Sequence, residues 1–216
     1  MLNFDFLTKD SDLLKKLLIG SLLALTVIGM IPIMGWALEA IRRNMRETSP
    51  VLPDWDDFGK YTLDGLKGLG FFFLWFLPVI LPVIGFAVAA IFMPEFFASE
   101  NDAAAALAII NLCLGVWAMV YSLPMGILAV PALGMLAQDS FKEALNPVNV
   151  WKVFKAHPSG FLMAWVFGIL ASMILSGMGT LLCLIGTYPA FVLTYGLMGQ
   201  FYGIAYREAL EKLTQS

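Results

Sequence analysis

Charge is what this chain has least of. Only 13% of its 216 residues are Asp, Glu, Lys or Arg, while 60% are hydrophobic. A soluble domain carries about one quarter charged residues. The mean hydropathy is +0.82, so the long apolar runs read as membrane segments rather than as core helices of a soluble fold. Histidine is nearly absent: His157 stands alone in the motif KAHPSG. A zinc site needs several N or S donors, so His157 reads as a loop or headgroup residue before it reads as an axial ligand. Cys113 and Cys183 are the two cysteines and both lie in apolar runs, which suits reduced thiols buried in lipid or in protein better than a disulfide. No G-x-S-x-G, H-E-x-x-H or P-loop pattern occurs. The net charge of −3 with scattered bases leaves no nucleic-acid footprint. The stretch MLNFDFLTKDSDLL has acids and no small-residue cleavage site, so no signal peptide is expected. No charge falls at the centre of an apolar run, which speaks against a proton- or ion-coupled pump. These gaps point to a protein that is not an enzyme, with no catalytic residues, no metal site and no cofactor.

What the chain does have is apolar length. After a lead-in over 1–16, with Phe4 and Phe6 as aromatic anchors, an apolar run covers 17–41 and is long enough to cross about 30 Å of hydrocarbon. Pro32 predicts a kink in it. Arg42, Arg43 and Arg46 follow as a basic edge at the headgroups, and Glu39 can pair with Arg42 or Arg43 at i+3 or i+4. A second span covers 70–93 with Pro78 and Pro82. A third apolar stretch, 103–137, is longer than one membrane crossing and is expected to tilt, to kink at Pro124 or Pro131, or to leave the membrane. The apolar stretch 159–206 divides at Gly177–Gly179 and ends in a final span, 180–206, before a polar tail, 207–216.

The most patterned polar stretch lies between the first two runs: LPDWDDFGKYTLDGLK, from Leu52 to Lys67. Pro53 imposes an extended lead-in. Asp54 is a good N-cap, with Asp57 in the capping-box position. Trp55, Phe58, Thr62, Leu66 and Leu69 recur at helical spacing. The reading is an amphipathic helix over 54–68 lying on the membrane surface.

Shifted by 92 residues, the chain partly matches itself. Pro32 falls on Pro124, and Asp54 on Asn146, where Asn146-Pro147 supplies an N-cap and a proline at N1. Trp151 and Phe154 follow in an amphipathic segment over 146–157. The expected repeat is a kinked span, an interfacial helix and a second span, over 17–93 and again over 103–177. With the final helix this makes an all-α integral membrane protein of about five spans, within a range of four to six. Counting bases in the loops puts both amphipathic segments and the C-terminus in the cytoplasm. Lys9, Lys15 and Lys16 pull the other way, so the first run is either a full span or a re-entrant hairpin broken at Pro32.

The segments KKLLIGSLLAL, VLPDWDDFGKYTLDGLKGL and LMGQFYGIAYREA together resemble one family, the prokaryotic multi-pass membrane proteins grouped as domain of unknown function 4013. The matching residues are Lys15 to Leu17, Arg42 and Arg43, Leu52 to Asp57, Asp64 to Lys67 and Gly199 to Arg207. The last of these departs from the family's pattern by extra residues between Gln200 and Arg207. The resemblance implies a multi-pass protein of the prokaryotic cytoplasmic (inner) membrane with no established activity, and it carries over no catalytic residue.

Two functions compete. One is a membrane scaffold or accessory subunit packing against lipid and against another membrane protein or itself. The other is a small transporter or lipid-handling protein whose midplane cavity is lined by Asn111, Tyr188 or Gln200. Asn111 and Gln200 also serve as interhelical hydrogen-bond partners, and Gly199 and Gly203 form a G-x-x-x-G.

Overall fold

The computed structural model describes residues 10–92, 99–181 and 186–215. Phe4, Phe6, Lys9 and Cys183, with most of the expected loop after the second span, lie outside the described residues. The described residues form nine helices and no strand. In chain order these are α1 (Leu13–Ala24), α2 (Met30–Met45), α3 (Phe58–Trp75), α4 (Leu77–Phe92), α5 (Glu100–Ala137), α6 (Phe141–Ala144), α7 (Pro147–Ala156), α8 (Pro158–Leu181) and α9 (Thr187–Gln215). They fall into two compact units: one from the described parts of Met1–Phe71 and Ile127–Ser216, the other Phe72–Gly126. The division falls inside α3 and α5.

The first unit is organised around α9, which packs against α1, α2, α7 and α8. Val192, Leu197, Phe201, Tyr206 and Ala209 of α9 are buried, as are Ile33, Trp36 and Ile41 of α2. The close contact has a sequence cause. A Cβ on Gly199 would lie 2.7 Å from the Cβ of Ala40, and one on Gly203 would lie 2.6 Å from the Cβ of Asn44. Glycine lets the two backbones meet, as a G-x-x-x-G seam requires. Gly35 and Gly65 do the same where α2 meets α3, since side chains there would run into the backbone of Tyr61 and Ile31.

The second unit has an unusual surface. Among its described residues only Trp75 and Ala103 are buried. Its helix ends carry a local repair. Pro78 has no N–H for the carbonyl four residues back, and the helix breaks at Phe76, between α3 and α4. At the break the Val79 N–H turns to the Phe76 carbonyl, and the Trp75 carbonyl it leaves accepts from the Tyr121 hydroxyl at 3.2 Å. Pro82, inside α4, likewise frees the Pro78 carbonyl, which accepts from Trp117 Nε1 at 3.4 Å. One aromatic donor on α5 replaces the bond that Pro82 removes, and a second meets a carbonyl left over at the helix break, as proline in a membrane helix requires.

Two described helices are long and apolar enough to cross a membrane: residues 101–137 of α5, and α8. The pair α3 and α4, bent by 66°, passes the same test if it acts as one broken span. This differs from the expected five spans in three places. The first apolar run is split into α1 and α2 by a break at 25–29, ahead of Pro32, which sits in the first turn of α2, where its missing N–H costs nothing. Neither piece passes the test. The second run is not one helix, because α3 takes in the polar Asp64–Lys67 stretch and α4 starts afresh after Phe76. Finally, α8 runs straight through Gly177–Gly179 to Leu181, and α9 carries Thr, Tyr, Gln and charged residues that leave it too polar to pass. Pro124 and Pro131 do not end α5, whose 38 residues make about 57 Å of helix; its end, from Ala129 to Ala137, is largely buried.

The two copies of the expected repeat are also unlike in structure. Asn146 caps α7 as read, its side chain accepting from the Val148 N–H at 3.0 Å with Pro147 next. In the first copy Asp54 is not a cap. The helix starts at Phe58, and Asp57 caps it by accepting from the Lys60 N–H at 3.0 Å.

Candidate functional site

The Leu-Pro-x-Trp segment is not a helix on a surface but a loop turned inward. Leu52 and Pro53 are fully buried. A buried loop must find partners for its carbonyls, and each is met. Lys16 Nζ donates to the Leu52 carbonyl at 2.9 Å, Trp36 Nε1 to the Pro53 carbonyl at 2.8 Å, and the Tyr61 hydroxyl to the Asp54 carbonyl at 2.8 Å. Trp55 returns the favour, donating from Nε1 to the Lys16 carbonyl at 2.9 Å. Its ring stacks on Trp36, with centroids 5.4 Å apart and planes 7° from parallel. Such a pair adds about 0.5–1.5 kcal/mol beyond the area it buries. Lys16 is only 2% exposed, and its charge is met by Asp10 at 2.7 Å and Asp54 at 3.2 Å.

Beside this loop, the buried Arg42 forms the centre of an ion network whose outer members, Lys60, Lys67 and Asp139, are exposed. The sequence placed it at a headgroup edge with Arg43 and Arg46. Arg46 is exposed and Arg43 half-buried, but Arg42 is 6% exposed. Its Nε donates to the Ala137 carbonyl at 2.7 Å. Nη1 meets Glu39 at 2.5 Å and Asp64 at 3.2 Å, and Nη2 lies 3.8 Å from Asp139. Lys60 pairs with Glu39 at 2.8 Å, and Lys67 bridges Asp64 at 3.2 Å and Asp139 at 2.8 Å.

Local backbone explains why these groups converge. α5 ends in a Schellman motif: Asp139 takes a left-handed φ of 61°, its N–H reaches the Leu136 carbonyl, and the Ser140 N–H reaches the Met135 carbonyl. The Ala137 carbonyl is left over at a helix C-terminus, where a cation is favoured, and Arg42 fills that role. Burial works against an ionised Glu39, but hydrogen bonds from Lys60 and Arg42 outweigh it and hold the carboxyl below its ordinary value. Burial also opposes the Arg42 charge, which the Glu39 and Asp64 partners restore and raise. The Lys67 hydrogen bond keeps Asp139 low. Each charge in the network faces one of opposite sign, and no nucleophile in it is paired to a base. Among the described residues no group of His, Cys, Asp and Glu could hold a metal ion.

The sequence-predicted residues are placed as follows. Asp54 is in the Lys16 cluster, Asp57 is an exposed cap, and Phe58 is exposed at the start of α3. Trp151 is 46% exposed on α7, stacked on Phe154 at 5.3 Å. Gln200 is buried in α9, Tyr188 is partly exposed near its start, and Asn111 is exposed in the second unit. Cys113 is free and exposed on α5, within the stretch apolar enough to cross a membrane.

His157 lies in the short connection between two helices, as a loop residue would. It is buried at the break between α7 and α8, with Nε2 2.9 Å from Glu208 and Nδ1 2.6 Å from Lys212. Lys212 can only donate, so Nδ1 accepts and Nε2 carries the hydrogen. The contact ties α9 to the α7–α8 corner.

Residues 18–184 match the family described as protein of unknown function DUF4013. The chain belongs to this family. No curated protein and no solved structure matches it. The family match covers Arg42, Asp64, Lys67, Asp139 and the Trp55 loop, while Lys16, Glu208 and Lys212 fall outside its limits. The sequence missed the depth of Arg42 and Lys16. The available signal was a count: each cation on an apolar run needs a nearby acid, and Asp54 and Asp64 were the candidates.

Proposed function

We propose that this member of the family is a non-enzymatic membrane scaffold or accessory subunit. One observation carries the reading: the ion network is satisfied internally, while large apolar side chains face outward. The apolar window of α5 is only 6% buried, and Val116, Trp117, Met119, Val120 and Leu123 are all exposed. Contiguous apolar surface of this kind suits lipid and a second membrane protein or another copy of the chain. Charges that are met by each other and by backbone carbonyls suit rigidity more than turnover. The orientation that goes with this places the α7 segment and the end of α9 on the cytoplasmic side of a prokaryotic inner membrane. Gentle solubilisation of native membranes, followed by native mass spectrometry, tests it. A stable complex or self-association is expected, and a lone monomer in mild detergent overturns it.

A second reading, a lipid-handling protein or small transporter, draws on a groove of about 300 Å³ lined by Gly160, Met163, Phe167, Phe201, Ile204 and Glu208. Asn111, Tyr188 and Gln200 are not among its lining residues. Retention of a phospholipid through purification, lost on replacing Ala164 with Phe to fill the groove, favours this reading.

A further inference from the structure

We infer that α7 is a docking surface for anionic phospholipid headgroups. The helix divides cleanly. Val150 and Val153 are buried against the first unit. Val148, Trp151, Lys152 and Lys155 are all exposed, and at i, i+3, i+4 and i+7 they share one face. Lys155 lies over the Trp151 ring, 5.6 Å from its centroid, so the two cations flank an exposed aromatic. No acid occurs in α7. The nearest charges on α6, Lys142 and Glu143, are both exposed and offset each other.

Position supplies the second argument. α7 ends at Ala156 and α8, which is long and apolar enough to cross a membrane, starts at Pro158. One residue separates them, with His157 breaking the helical path. The exposed face of α7 therefore stands at headgroup depth when α8 is in the bilayer. There Trp151 and Val148 reach the acyl boundary and the lysines meet lipid phosphates, the arrangement of a basic interfacial helix. The first polar segment has no such face, since Asp56 and Asp57 are its exposed charges ahead of α3. An acidic protein segment is the competing occupant. The mixture of Trp, Val and Lys on one face favours lipid.

The inference rests on the membrane-embedded reading, and the test separates the two. The full chain is reconstituted in phosphatidylcholine bilayers containing a small fraction of either brominated phosphatidylcholine or brominated phosphatidylglycerol. Quenching at Trp151 is read as the difference between the wild type and Trp151→Phe. Brominated phosphatidylglycerol is expected to quench more strongly, with a preference on the order of fivefold per lysine. The double variant Lys152→Gln with Lys155→Gln brings the ratio to near one, and the Lys152→Arg with Lys155→Arg pair keeps it. Equal quenching by the two lipids in the wild type, or a preference that survives the glutamine pair, overturns the inference and leaves the membrane reading intact. Failure of the chain to enter the bilayer at all overturns both.

Discussion

Two tryptophan-bearing segments look alike in the sequence and differ in the structure. Trp55 lies in a loop turned inward, its ring on Trp36 and its N–H on Lys16. Trp151 lies on a helix turned outward, 46% exposed beside two exposed lysines. The first segment holds the fold; the second meets its surroundings. Spacing of apolar residues is the same signal in both cases, because it reports that a face is apolar and not what covers it. In a membrane protein lipid and protein interior are both apolar, so that signal cannot choose between them.

The sharpest way to break this contrast is at Arg42. Arg42→Ala leaves Glu39 and Asp64 short of a partner and the Ala137 carbonyl open, and such breaks in buried networks cost about 3–5 kcal/mol. A large loss of thermal stability in detergent is expected, and a shift no larger than that of a surface variant would show that the inward region is not held by charge. Next comes the tryptophan pair. Trp55→Ala is expected to cost about 3 kcal/mol, as large-to-small changes in packed regions do, and Trp151→Ala within about 0.5 kcal/mol, as at a surface. Equal losses would erase the distinction.

A smaller effect is expected at the seam of α2 and α9. Gly203→Ala places a methyl against Asn44 and the Ile41 carbonyl, and overpacking of this kind costs about 1–3 kcal/mol. The smallest effect is that of pH. Glu39 and Asp139 are held below their ordinary values. Their contribution is therefore present above the unfolded values of 4.5 and 3.8 and is lost as pH falls through the lower folded values. Thermal stability is expected to hold from neutral pH down to the ordinary carboxylate range and decline below it. Glu39→Gln should flatten that decline. A midpoint near neutral pH would mean that other groups control it.

Much of the local structure was legible. The helical class, the apolar windows of α5 and α8, the Asn146-Pro147 start of α7, the pairing of Glu39 with Arg42 and the G-x-x-x-G motif, though not its partner on α2, all depend on residues a few positions apart. What escaped notice depends on distance along the chain. Arg42 and Ala137 are 95 residues apart, and Lys16 and Leu52 are 36 apart; no local pattern announces either bond. The expected cap at Asp54 failed for a related reason. Lys16 claims that carboxylate, and Asp57, three residues on, is free to start the helix. The break at 25–29 carries no proline at all, so a reading that looks for breakers found Pro32 instead.

The place of α9 in the first unit has a consequence for how the molecule is made. All four helices that pack on it come earlier in the chain. A ribosome therefore releases α1, α2, α7 and α8 before the element that joins them exists. Until it arrives, the glycine seam on α2 and the imidazole at the α7–α8 corner have nothing to close upon. Assembly of this unit thus waits for its most polar long helix rather than for its most hydrophobic one.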